Sequence, residues 1–425
     1  MSTTVIGILL LITYIGMIVY LVKGGNATIT MLVMGIIWYL LSGDNFNELI
    51  DHVITGIVSK YALNVVTIMF GAWFAQIIIQ RKIATSIIRS AVELGGDRPA
   101  VVSVIMVWVI GFLFLSLYSV GPTIAVGVVA LPIMLSMGIA PAIASTVMAL
   151  GVGVAYLVNF SQYTAIRGLF PEGTIPEQIT SPFVPYAYIV VVVGLIITSI
   201  GVVIALKRSQ KTHSWCAAAE IEDEERVKWY AYLTPLVPVV MVLAFKWDIF
   251  PSFLLGIAYA MITTWKKGTK GFNVVIKAFS DGMADSGAMI IYLLCTYVFS
   301  GAATEVVPIV QEILGWALPT TTLQMAILFA VICPLVIYRG PAAVFGAGIA
   351  VYTSLLAAGQ IPATFVVLIA LTISSVHSSI DPTQSVVVWI NSYTKVKSKD
   401  FLKVALPIGW VYGAVGVLIC YLMHG

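Results

Sequence analysis

The sequence predicts an all-α polytopic membrane protein built from two inverted-topology repeats, each with a re-entrant helical hairpin and a discontinuous transmembrane helix. Three observations predict this class: the hydropathy of the chain, the placement of its basic residues, and motifs that recur in both halves. The 425 residues are 60% hydrophobic and 10% charged, with a mean hydropathy of +1.03. Apolar runs near the ~20 residues that cross a bilayer recur throughout, and the alternating pattern of membrane strands does not occur.

The apolar runs are joined by mostly short connections. They lie at residues 5–22, 28–42, 62–80, 100–115, 123–137, 141–158, 184–206, 230–245, 250–265, 286–300, 321–337, 342–358, 362–376 and 405–423. The first run has no basic start and no small-residue cleavage site, so we expect a retained helix and not a signal peptide. The four cysteines have no paired spacing, and we expect neither a disulfide nor a metal site from them.

The basic residues predict the orientation of the chain in the membrane. Most of the 22 Lys and Arg residues lie at Lys23 and in residues 81–98, 207–228, 266–277 and 395–403. Basic loops remain in the cytoplasm, so these segments are predicted to be cytoplasmic. The protein is therefore expected to be a multi-pass protein of the cell (inner) membrane, with its N- and C-termini outside.

This orientation requires two pairs of apolar runs that do not cross the membrane. The pair at about 100–137 must enter from the cytoplasm and return to it, and the pair at about 321–358 must do the same from outside. Re-entrant hairpins of this kind are tolerated where their tips are buried in protein or face a cavity. The alternative, in which all these runs span, stays open.

The two halves of the chain carry the same motifs in the same order. The first repeat is predicted at 1–206, a cytoplasmic linker at 207–228, and the second repeat at 229–425. The matched pairs are "FNELIDHVITG" with "FNVVIKAFSDG", "YSVGPTIAVG" with "YRGPAAVFG", "GIAP" with "GQIP", and "NFSQ" with "DPTQ". Inverted repeats are typical of secondary transporters, whose sites lie near the midplane between broken elements of the two halves.

The hairpin tips are the first candidate binding elements. They read "SLYSVGPT" (116–123) and "IYRGPA" (337–342), and each Gly-Pro ends one arm and begins the next. Free backbone N–H groups at such helix starts favour anions. The predicted substrate-binding residues at the tips are Ser119, Gly121, Thr123, Arg339 and Gly340.

The breaks in two membrane helices form the second pair of candidate binding elements. The broken helices are predicted at about 141–170 and 362–393. Pro382 removes a backbone donor and disfavours helical geometry at Asp381. Unwound carbonyls and side-chain oxygens there can coordinate a cation. The predicted substrate-binding residues at the breaks are Asn159, Ser161, Gln162, Ser379, Thr383 and Gln384, and the predicted coupling-ion residues are Asp381, His377 and Asn159. The alternative is that these polar residues pack helices together.

Two charged residues carry most of the functional argument. Arg339 is the only Arg or Lys predicted at membrane depth, where a guanidinium needs a partner or a function. It can clamp a substrate carboxylate in a bidentate manner, pair with Asp381, or extend outward to the interface. Asp381 can bind Na⁺, carry a coupling proton, or cap the break. His377 can relay protons or serve as a hydrogen-bonding residue.

The sequence lacks a nucleotide-binding loop, a metal-ligand cluster and a nucleophile–base arrangement, so we do not expect an enzyme. It predicts a secondary active transporter that imports a small organic anion by symport with H⁺ or Na⁺, needing no cofactor beyond that ion. The expected partners are the substrate and the lipid bilayer, with no nucleic acid and no metal beyond Na⁺ near Asp381. A transporter of a cationic or neutral solute, or a cation/proton antiporter, with Asp381 binding the substrate, remains an alternative, as does a channel or sensory domain.

The tips at 118–122 and 338–341 and the breaks at 159–162 and 377–384 resemble those of the ion transporter superfamily, which includes the gluconate, citrate and C4-dicarboxylate permeases. The resemblance covers nearly the whole chain. It implies a homodimer whose scaffold domains form the interface, and a transport domain that moves by an elevator mechanism. The Ser-Asn-Thr tips of the dicarboxylate–sodium symporters are absent, which favours the gluconate- or citrate-like branches, where protons are a common coupling ion.

Overall fold

The structure, a computed structural model, describes residues 3–43, 50, 56–170, 173–175, 183–209, 226–265, 271–314 and 318–425. Several sequence predictions fall outside these ranges. They concern most of the linker (210–225), most of the first Phe-Asn motif (46–49 and 51–55), Cys216, and the basic residues of 266–270.

Within the described ranges the regular elements are helices. They are α1 Thr3–Val22, α2 Ala27–Ser42, α3 Gly56–Gln80, α4 Ile83–Gly95, α5 Pro99–Phe114, α6 Val120–Ser136, α7 Pro141–Ala155, α8 Phe160–Arg167, α9 Phe183–Ser209, α10 Leu236–Phe245, α11 Ile249–Thr263, α12 Gly271–Leu314, α13 Thr322–Ile332, α14 Ile349–Ala358, α15 Ala363–Ile380, α16 Ser385–Tyr393 and α17 Ser398–His424, with 3₁₀ turns at Tyr156–Val158, Trp229–Leu233 and Cys333–Arg339.

The helices confirm an all-α polytopic membrane protein. In the described part of the chain, seven helical segments are long and apolar enough to cross a bilayer: Thr3–Val22, Pro141–Val158, Phe183–Ser209, Asn273–Val306, Thr322–Arg339, Ala363–Tyr393 and Ser398–His424. Large apolar side chains stand exposed along their outer faces, as Ile189, Ile196 and Ile200 do on α9. Such a surface is stable against lipid and unfavourable in water.

The first hairpin consists of two short helices joined by a turn. Its arms, α5 and α6, contain 16 and 17 residues, which at ~1.5 Å per residue makes each roughly 25 Å long, shorter than the ~30 Å hydrocarbon core. Between them the chain turns at Ser119, whose φ of 91° is rare for a residue with a side chain. The Tyr118 hydroxyl donates to Gln162 Oε1 at 2.6 Å, so this tip ends inside the protein.

The second hairpin differs from the prediction in its return arm, because α14 begins at Ile349 and not near residue 342. The first arm ends in a 3₁₀ turn that leaves helical geometry at Ile337 and Tyr338. The following residues wrap around Arg339, whose carbonyl accepts from Ala347 N at 3.0 Å. A Cβ on Gly346 would lie 2.5 Å from that carbonyl oxygen, so the close turn depends on glycine. Apolar composition alone gave no sign of this turn.

The two helix breaks fall at the predicted residues and share one geometry. Asn159 between α7 and α8 has φ −74° and ψ 126°, and Asp381 between α15 and α16 has φ −71° and ψ 116°. Each side chain caps the segment that follows. Asn159 Oδ1 accepts from Ser161 N at 3.0 Å, and Asp381 Oδ1 accepts from Thr383 N at 2.9 Å. These two residue types stabilise such breaks because their short side chains bond nearby backbone N–H groups.

A long helix forms one wall of the site. α12 has 44 residues and packs along α2 and α3, whereas α15 packs against α7 and α17. The sequence predicted only residues 286–300 of this helix as an apolar run. The additional turns place Asp281 and Asp285 within the helix, where their side chains bond to Gln80 and Gln76 of α3.

Candidate functional site

A cavity of about 500 Å³ lies where both hairpin tips and both helix breaks meet α12 and the α1–α2 loop. Cavities of this size are typical of small-molecule sites. Gly24 and Asn26 of the loop line it and are exposed, so the cavity reaches the surface there. Five of the residues predicted to bind substrate line it: Ser119, Gln162, Arg339, Thr383 and Gln384.

Arg339 is buried at the second tip, with 8% of its surface exposed. Its guanidinium carbon lies 4.3 Å from the centroid of the Tyr292 ring, and one guanidinium nitrogen donates to the Phe345 carbonyl at 3.2 Å. A guanidinium has five N–H donors, so this bond uses a small part of its capacity. Within the described ranges, no carboxylate lies at ion-pair distance from it. The predicted alternative of a side-chain pair with Asp381 is therefore not formed.

Asp381 is fully buried and is surrounded by donors. Its Oδ1 accepts from the backbone N of Tyr338 and of Thr383, both at 2.9 Å. Its Oδ2 accepts from the backbone N of Arg339 at 3.1 Å and lies 2.9 Å from His377 Nε2. The backbone N–H groups of the second tip were predicted to bind a substrate anion. They bind a carboxylate of the protein itself. This carboxylate ties the second tip to the second break.

His377 connects Asp381 to the cavity. Because its Nε2 bonds to the Asp381 carboxylate, Nε2 carries the proton in the neutral ring and Nδ1 is the acceptor. Gln384 Nε2 lies 3.2 Å from Nδ1 and can donate to it. Gln384 lines the cavity, whereas His377 and Asp381 do not. The hydrogen-bonded order from the cavity inward is Gln384, His377, Asp381.

Asn159 and Gln162 join the first break to the first tip. Asn159 Nδ2 donates to the carbonyls of Phe114 at 3.0 Å and Leu117 at 2.9 Å, and its Oδ1 caps α8. Both the nitrogen and the oxygen of the Asn159 side chain thus form hydrogen bonds with the backbone. Gln162 accepts a hydrogen bond from Tyr118 and donates one from Nε2 to Ser374 Oγ at 2.8 Å. Its side chain also lines the cavity.

The other predicted residues lie close by without lining the cavity. Thr123 Oγ1 donates to the Ser119 carbonyl at 3.0 Å, and Ser379 Oγ donates to the Ser375 carbonyl at 2.7 Å. Ser161 packs against Gly71 of α3, and Gly340 packs against the carbonyl of Leu335. Asp381, the predicted substrate ligand of the alternative function, is likewise outside the cavity lining. In this structure these residues shape the tips and breaks.

Sequence reasoning missed Asp285, which lines the cavity from α12. Its Oδ2 accepts from Gln76 Nε2, and its backbone carbonyl accepts from Ser119 Oγ at 3.3 Å. Its carboxylate lies against Gly121 at the start of α6, where the helix dipole favours a negative charge. The spacing of Asp281 and Asp285, four residues apart beside an apolar run, was the available signal. It places both acids on one helix face.

Gly121→Ala is expected to displace Asp285 from the first tip, because the new Cβ would lie 1.8 Å from Asp285 Oδ2. We expect a loss of about 1–3 kcal/mol in the free energy of unfolding, the usual range for overpacking. The matched control is Gly287→Ala on α12, where a Cβ meets nothing within 4 Å. The control should be neutral or gain up to about 1 kcal/mol. Equal thermal unfolding of both variants in detergent would contradict the contact.

The fold is similar to that of a membrane transporter of known structure. The Alcanivorax borkumensis YdaH transporter, described as having an unusual topology, superposes with a TM-score of 0.59 over 93% of this chain and 98% of that chain, at 13% sequence identity. No protein-family model matches the chain, and no curated protein matches it in sequence. The chain therefore shares its fold with this membrane transporter. The resemblance to the ion transporter superfamily, with its gluconate and citrate permeases, finds no support in these comparisons.

Proposed function

We propose that the protein is a secondary active transporter of small organic anions and that Arg339 binds the substrate carboxylate. One observation carries the proposal: a buried guanidinium, stacked on Tyr292, faces a cavity between two hairpin tips and two helix breaks without a carboxylate partner in the described ranges. The fold shared with a transporter supports the same function.

The energetics favour an anionic substrate. A guanidinium at membrane depth costs several kcal/mol when it lacks a counter-charge. Tyr292 and the Phe345 carbonyl offset part of this cost through the ring quadrupole and one hydrogen bond. A carboxylate supplies the missing charge, and its two oxygens match the planar fork of arginine. Substrate binding then satisfies the donors that the protein leaves open.

The surroundings of Asp381 favour a proton over Na⁺ as the coupling ion. A sodium ion needs several oxygen ligands, whereas the contacts of Asp381 are N–H and O–H donors from Tyr338, Arg339, Thr383 and His377. Histidine exchanges protons near neutral pH. His377 reaches the cavity through Gln384 and is therefore the proposed site of proton entry. This arrangement supports import by proton symport as the proposed mode of transport.

The contacts also support an elevator mechanism. Tyr118 binds Gln162, and Asp381 binds the backbone of Tyr338, so each tip is fixed to the break of its own repeat. These elements form the proposed moving body. α12, with α2 and α3, forms the opposite wall of the cavity and the proposed scaffold.

The charge bias of the sequence completes the proposal. It predicts that Lys23, and with it the exposed mouth of the cavity at Gly24, lies on the cytoplasmic side of the inner membrane. The described conformation is then inward-open, with both termini outside. A homodimer formed through the scaffold remains part of the proposal.

Thermal stability of the purified protein tests this function. Organic acids, amines and sugars are added singly, each with and without sodium. A ligand at a hundred times its dissociation constant stabilises the protein by about 2.7 kcal/mol. We expect stabilisation by compounds that carry a carboxylate, independent of sodium. Stabilisation by amines without a carboxylate, or by sodium alone, would contradict the proposal.

A further inference from the structure

We propose that the substrate is a zwitterion with separated charges, whose carboxylate binds Arg339 and whose ammonium group binds Asp285 at the other end of the cavity. This inference rests on the proposed function and narrows its substrate class. It depends on an acidic side chain in the cavity that anion transport alone does not use.

Asp285 has the properties of a cation ligand. It is partly exposed and lines the cavity. Its carboxylate is fixed by the neutral amide of Gln76 and by its position against Gly121. In the described part of the chain, no lysine, arginine or histidine side chain lies at ion-pair distance from it. The carboxylate is therefore positioned, negatively charged when ionised, and open to a cation.

The spacing along α12 sets the length of the substrate. Asp285 and Tyr292, which stacks on Arg339, are seven residues apart, about two helical turns, so they share one face at a separation of roughly 10 Å along the axis. Ala288 and Met289 line the cavity between them and are apolar. In an α-amino acid the ammonium and carboxylate groups are attached to the same carbon atom, so the two charges are too close together to reach both Asp285 and Arg339. An apolar chain of several atoms between ammonium and carboxylate fits this wall.

Charge balance gives the same answer. A monoanion at Arg339 would leave the Asp285 carboxylate without a counter-charge inside the membrane, which is costly. A zwitterion neutralises both groups and adds no net charge of its own.

The test compares three compounds of equal chain length: ε-aminocaproate, hexanoate and hexylamine. Their affinities for the purified full-length protein are measured by isothermal titration calorimetry. A hydrogen-bonded charge pair contributes enough to give about tenfold or more in affinity. We expect ε-aminocaproate to bind at least about tenfold more tightly than hexanoate. Asp285→Asn should remove this advantage.

The matched control is Asp281→Asn. Asp281 is one helical turn from Asp285 and bonds Gln80 at 2.8 Å in the same way, but it does not line the cavity. This variant should keep the preference for ε-aminocaproate. Asp285→Glu keeps the charge and should retain part of the preference, which separates loss of charge from loss of folding.

The outcomes distinguish this inference from the proposed function. Equal affinities of ε-aminocaproate and hexanoate for the unmodified protein, with both lost in Arg339→Gln, would overturn the zwitterion and leave the anion transporter standing. A preference that survives Asp285→Asn, or is lost equally in Asp281→Asn, would also overturn it. Binding of hexylamine without hexanoate would overturn both proposals. If none of the three compounds binds, the proposal that the substrate is a zwitterion of this chain length is wrong.

Discussion

Arg339→Gln is expected to abolish substrate uptake while the protein remains folded. The glutamine keeps a polar side chain but removes the charge and the planar fork that would bind a carboxylate. Truncating one partner of a buried charge pair typically costs 2 kcal/mol or more, so we expect a loss of about thirtyfold or more in substrate affinity. The measurement is uptake into proteoliposomes together with binding to the purified protein.

Folding should survive this substitution because Arg339 has no carboxylate partner in the described part of the chain. The substitution removes the stacking on Tyr292 and the bond to the Phe345 carbonyl, so the thermal midpoint should fall while the protein remains folded. Tyr292→Phe is the matched control. It keeps the ring beneath the guanidinium and removes the hydroxyl that donates to the Phe345 carbonyl. Normal uptake by Arg339→Gln would disprove the carboxylate clamp.

Asp381→Asn is expected to stop transport or to free it from the proton gradient. The carboxylate accepts from Tyr338 N and Arg339 N on its two oxygens. An amide offers one oxygen, and its nitrogen is a donor that would face one of these N–H groups. At least one buried donor then loses its acceptor, which costs about 1–3 kcal/mol. The second tip should loosen from the break, and the proposed proton site is removed together with it.

The measurement is uptake with and without an imposed proton gradient, together with thermal unfolding. The matched control is Asp400→Asn, the same substitution at an exposed residue whose partner is Lys403 at 2.7 Å. Surface ion pairs of this kind contribute little to stability, so the control should transport normally. If Asp381→Asn keeps the full gradient dependence of uptake, Asp381 is not the coupling site.

Each hairpin tip lies against a carboxylate of the protein itself. Asp381 binds the backbone of the second tip, and Asp285 lies beside Gly121 of the first. The backbone there is strained, since Ser119, Tyr338 and Arg339 all have positive φ, at a cost on the order of 1–3 kcal/mol each. The carboxylates stabilise these turns by satisfying donors or complementing the helix dipole. In the proposed function, substrate recognition is then left to side chains, above all Arg339.

The sequence by itself determined the class of the protein and the positions of its irregular elements. Apolar runs require helices in a membrane because the backbone has to satisfy its own hydrogen bonds there. Pro382 and the short polar side chains of Asn159 and Asp381 determine the breaks locally, since each acts on neighbouring backbone. The first tip was predictable in the same way from its Gly-Pro pair, whereas the turn after the second Gly-Pro pair was not. These features depend on residues close together in sequence.

The tertiary structure alone decided what the polar groups bind. That Asp381 holds the backbone N–H of a residue 42 positions away, and that Asp285 meets the first tip 166 positions away, follows from the packing of distant helices. The turn around Arg339 and its stack on Tyr292 are equally non-local. Hydropathy records only whether a residue favours lipid or water. It carries no information about which buried groups contact each other, and these contacts define the site.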